Sequence, residues 1–79
     1  MHDWLREAAD RLSAATGVAR DELELTSREI DALLRFAGDA AHESGARTNA
    51  PLACFLLGVA SGKSGERPDE VAARLADGP

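Results

Sequence analysis

The sequence predicts an all-α protein: a compact four-helix bundle with a central, apolar third helix. Three observations carry that expectation. The run Ala50–Ala60 holds no charge and is far shorter than the ~20 apolar residues a bilayer span needs, so it belongs inside a domain. Elsewhere the apolar residues recur at spacings of three and four, which places them on one face of a helix. Finally, Thr26-Ser27-Arg28-Glu29 is a capping box, in which the first and fourth residues satisfy each other's exposed backbone N–H groups at a helix start.

In chain order, Trp4, Leu5, Ala8, Leu12 and Ala15 share one face, which predicts a first helix over 3–16 with Trp4 filling the core. Asp3 or His2 is the expected cap, and Gly17 suits the left-handed residue that ends such a helix. A connector follows, anchored by Leu23 and Leu25. The capping box then opens a second helix over 27–44, stopped near Gly45, with Ile30, Leu33, Leu34, Ala37 and Ala41 on its dry stripe. Asn49 before Ala50-Pro51 reads as the cap of a third helix over 50–62, since proline is tolerated in a first turn and unwelcome in a strand. Its bulky residues Leu52, Phe55, Leu56 and Val59 form one face, expected inward. Cys54, Gly58 and Ser61 form a small face that a neighbouring helix can approach closely. Leu57 lies between the two faces and is the residue expected nearest the surface, as an interaction residue. Gly62 to Glu66 reads as a turn, and Pro68 opens a short fourth helix over 68–76 with Val71, Ala72 and Leu75 inward and Gly78 ending it.

Seventy-nine residues form one helical domain, 1–79, which buries only about 60–65% of the surface it exposes when unfolded. Cys54 is alone, so there is no internal disulfide, and the Cys and His positions have no zinc spacing. A net charge of −5 argues against nucleic acid, whose recognition needs a basic face. The charged N-terminus does not resemble a signal peptide, and together with the single cysteine it points to the cytoplasm. No membrane association and no cofactor is expected.

Four segments invite a chemical reading. Gly58-Val59-Ala60-Ser61-Gly62-Lys63-Ser64 looks like a phosphate-binding loop but is one residue short and has no strand before it, so it reads as a helix exit. Leu25 to Leu34 is similar to the opening of the helix-turn-helix domain of LuxR-type regulators, but the next helix is the most apolar in the chain and cannot read bases. Asp39 and His42 are weak metal or general-base candidates, with Asn49 as a conceivable third ligand, and their plainer reading is a solvated pair opposite the dry stripe. Cys54 lies in an apolar run with no His or Lys beside it, an inert core thiol. No catalytic constellation is present, so an enzyme is not expected.

Leu33-Leu34-Arg35-Phe36-Ala37-Gly38-Asp39-Ala40-Ala41-His42 together with Ala50-Pro51-Leu52-Ala53-Cys54-Phe55-Leu56-Leu57-Gly58-Val59-Ala60-Ser61-Gly62-Lys63 resembles a small bacterial helical family of unknown function. Members similar to it stand alone or extend the C-terminus of the guanylyltransferase that attaches GMP to molybdopterin. The resemblance implies a non-catalytic accessory or interaction domain linked to molybdopterin-guanine dinucleotide synthesis, with molybdenum cofactor guanylyltransferase as its partner. The enzyme's own nucleotide-binding glycine loop and metal aspartate are absent. The other expectations are a small helical homodimer of unrelated function and a metal- or ligand-binding protein using the Asp39 and His42 face.

Overall fold

Helix ends in this protein are set by local chemistry that leaves few backbone groups unpaired. The computed structural model describes residues 1–76, so the stop expected at Gly78 lies outside the described residues. The chain is an all-α bundle of four helices: α1, Asp3–Thr16; α2, Ser27–Ser44; α3, Asn49–Ser64; and α4, Pro68–Ala76. A single 3-10 turn, Arg20–Leu23, lies between α1 and α2.

Gly17 takes φ 79° and donates its N–H to the Ser13 carbonyl at 2.8 Å, a left-handed stop that L side chains resist. At the start of α2 both halves of the capping box are made. The Thr26 N–H donates to Glu29 Oε1 at 2.8 Å, and the Glu29 N–H donates to the Thr26 hydroxyl at 3.1 Å. The cap of α3 differs from the expectation. Thr48 precedes the helix, already in helical conformation, and Asn49 is the first helical residue. The turn Ala46–Thr48 makes a capping side chain unnecessary, because the Asn49 and Ala50 N–H groups donate to the Ala46 and Arg47 carbonyls, each at 3.1 Å. α3 also passes through Gly62, expected in a turn, and stops only at Gly65, φ 77°. Gly58 to Ser64 is therefore continuous helix, with its glycine N–H groups spent inside it. At α4, Pro68 occupies the first turn, and the Arg67 N–H donates to Glu70 Oε1 at 2.8 Å.

The short connection 45–48 folds α3 back onto α2 in the most extensive helix pairing, and α4 closes against both. α1 stands apart. Among the described residues its backbone comes close to the 3-10 turn and to no other helix. Arg20 makes that joint: its Nε donates to Asp10 Oδ1 at 2.6 Å while Nη1 lies 2.9 Å from Glu24 Oε1. A four-residue turn cannot cover a helix of fourteen residues. Trp4, expected in the core, is accordingly 71% exposed, and Leu12 is exposed as well. Ala9 is the one buried apolar residue of α1. No helix among the described residues is long and apolar enough to cross a membrane.

One stability prediction arises from α2. Gly38 lies in the helix interior, exposed, and a Cβ there would meet nothing within 4 Å. Gly38→Ala should raise stability by about 0.5–1 kcal/mol through helix propensity alone, read as a higher melting midpoint in urea.

Candidate functional site

α3 is turned inside out relative to its chemistry. Its inward side carries Ala50, Ala53, Cys54 and Ser61, all half-buried, around one large residue, Leu57, which is 4% exposed. Its outward side carries Leu52, Phe55, Leu56 and Val59, of which Phe55 is 70% exposed. Both expectations for this helix are corrected: the bulky face points to solvent, and Leu57, expected nearest the surface as the interaction residue, is its most buried side chain. A helix that is apolar almost all round gives no preferred inward direction. Backbone approach then decides. Small side chains let α3 lie close against α2, where many dispersion contacts form at little cost in side-chain entropy. Leu57 fills the space that remains, sharing with Phe36 of α2 and Val71 of α4 an apolar crevice of about 270 Å³.

The outward stripe follows helical spacing: Leu52, Phe55, Leu56 and Val59 stand at i, i+3, i+4 and i+7. No residue from Thr48 to Gly62 is charged. Gly58 and Gly62 border the stripe, and a Cβ on either would enter open space. Gly58 was expected beneath a neighbouring helix; among the described residues no atom lies within 4 Å of a Cβ placed there. Leu34 and Leu75, expected inward, are also exposed. The backbones approach through α3's small residues, so the larger side chains at the bundle edges stay in solvent.

A second concavity, about 540 Å³, runs between α2 and α4. Asp31, Asp39, Glu43 and Asp69 line it together with Arg35 and the apolar Phe36. Asp39 thus sits on a groove wall, whereas His42 is an exposed residue outside that lining and Asn49 begins α3. Among the described residues, no three His, Cys, Asp or Glu side chains converge closely enough to hold a metal ion.

The strongest electrostatic feature lies at the opposite end of the bundle from the α2–α3 connection. Glu29, the capping-box carboxylate of α2, is buried and accepts from the Arg67 guanidinium, which reaches it across 38 residues of sequence. Arg67 also donates to the Glu24 carbonyl at 3.2 Å. The hydrogen bond from Arg67 pulls the Glu29 carboxyl down from 4.5 to about 2; burial opposes this, and the Thr26 N–H assists it. The arrangement holds α4 to the start of α2. Both carboxylate oxygens of Glu29 are engaged structurally, one by the Thr26 N–H and one by Arg67. Sequence reasoning placed Glu29 in its cap but missed Arg67, since nothing local pairs residues so far apart.

No curated protein and no solved structure matches the chain. A family model described as a domain of unknown function, DUF6457, matches residues 1–78, and the chain belongs to that family.

Proposed function

We propose that this chain is a non-catalytic interaction module, completed by another protein surface and serving molybdenum cofactor guanylylation. The observation that carries the interaction reading is the inverted burial of α3. Trp4, Leu52, Phe55 and Leu56 are each more than 60% exposed, and the buried apolar residues among those described are Ala9, Leu57 and the proline Pro68. Exposed apolar surface on this scale is characteristic of binding faces. The pathway is supported by the sequence resemblance to extensions of the guanylyltransferase. The enzyme would meet this module through α1, whose Trp4 and Leu12 stand clear of the bundle. Tryptophan at such a place is a common anchor of binding energy.

The test is co-purification of the tagged chain with a molybdopterin guanylyltransferase from the same cell, with the rate of GMP transfer measured alongside. Retention of the enzyme is expected, weakened about tenfold or more by Trp4→Ser. Separate elution combined with an unchanged transfer rate would remove the pathway from the proposal.

A further inference from the structure

We infer that the outward face of α3 is covered by α3 of a second copy of this chain, in an antiparallel pair about a two-fold axis between Gly58 and Val59. The inference deepens the interaction reading by naming one occupant. It leaves α1 as the face for any unlike partner.

The first argument is area. The chain exposes 6034 Å². A folded monomer of 8.3 kDa exposes about 4,600 Å², so this chain leaves roughly 1,400 Å² in excess. A standard interface takes about 800 Å² from each partner, so an excess of this size, shared between the detached α1 and the outward face of α3, has room for one.

Charge is the second. Each copy carries −5, which opposes self-association unless the contact itself is free of charge. The stretch Thr48–Gly62 is the longest such surface in the chain. An acidic or basic partner would find only Lys63, at the end of the stripe, to recognise, whereas an identical apolar stripe loses nothing by meeting it.

Shape is the third, and it sets the register. A two-fold contact must be self-complementary, each protrusion meeting a recess on the same patch of the other copy. The face holds both. Phe55 protrudes, 70% exposed, and Gly58 and Gly62 are recesses where a Cβ would meet nothing within 4 Å. With the axis between Gly58 and Val59, Phe55 lies over Gly62 of the second copy, and Val59 lies over its Gly58. Each side chain then fills the space that a missing side chain leaves, and the two backbones can approach closely.

Sedimentation velocity of the full chain at 10–100 μM tests the association, and cross-linking tests the register. A dimer is expected, tightening as salt rises because screening relieves the repulsion between the two acidic copies. Phe55→Asp should raise the dissociation constant at least a hundredfold, with helical circular dichroism unchanged because the residue is exposed. Val59→Ser should act in the same direction more weakly, about tenfold, should Phe55→Asp disturb folding. In a Cys54→Ala background, Val59→Cys should couple to itself through a short bis-maleimide, while Leu52→Cys, about 20 Å from its symmetry mate along the helix axis, should not. A monomer at 100 μM overturns the inference. If the monomer still retains the guanylyltransferase, the interaction reading stands and only the second copy is lost. Equal cross-linking at both positions overturns the register.

Discussion

Leu57→Ala is expected to destabilise the fold by about 2–4 kcal/mol, the range for deleting a buried leucine and leaving part of its cavity behind. Leu57 is the one large apolar residue of α3 that is buried, and its neighbours Phe36 and Val71 belong to the two helices that α3 joins. The flanking inward residues Ala53, Cys54 and Ser61 are too small to move into the gap. A domain of this size holds roughly 4–12 kcal/mol in total, so the variant should unfold at markedly lower urea. Leu57→Asp should not fold, because a carboxylate in that crevice would lie against apolar side chains with no hydrogen-bond donor among them. Equilibrium urea denaturation checks both. A Leu57→Ala midpoint equal to that of the parent would mean the helix is not held by this side. The same substitution at Leu52, on the outward face, should cost the isolated chain less than about 1 kcal/mol.

The second large effect belongs to the Glu29–Arg67 pair. Arg67→Ala should cost about 1–3 kcal/mol at pH 7: it strands a buried carboxylate, but the guanidinium is half-exposed and water screens part of the pairing. The pH dependence follows from the direction of the shift. Glu29 is lowered in the folded chain, from 4.5 to about 2. Its stabilising contribution is therefore fully present above about pH 5 and is lost progressively as pH falls from there towards 2, since the unfolded chain takes up the proton first. Glu29→Gln should flatten that part of the stability profile. Thermal denaturation between pH 2.5 and 7 measures it. A parent and a Glu29→Gln variant with parallel profiles would show that the pairing contributes nothing.

Helix existence and most helix starts were legible because they depend on neighbours in sequence. Thr26 and Glu29 meet within one turn, and Pro68 sets its own backbone angle. Gly17 and Gly45 were legible as stops for the same reason. What the sequence concealed was orientation. On α1 and α2, polar residues alternate with apolar ones and name an inward face, yet even there Trp4, Leu12 and Leu34 are exposed because no element covers them. On α3 the only charged residue is Lys63 in the last turn, too near the end to mark the outside, and backbone proximity through Ala53, Cys54 and Ser61 outweighs the gain from burying Phe55. The candidate face was therefore found as a segment and inverted as a surface. Arg67 was invisible for another reason: its partner is defined only once the bundle has closed.

Glu29 belongs at once to the first turn of α2 and, through Arg67, to the first turn of α4. One carboxylate thus closes the ends of two helices that are distant in sequence. Fraying, which in most helices proceeds from each end independently, is here opposed at both starts by the same side chain. Loss of the Glu29 carboxylate would loosen both starts, so two helix ends share one anchor.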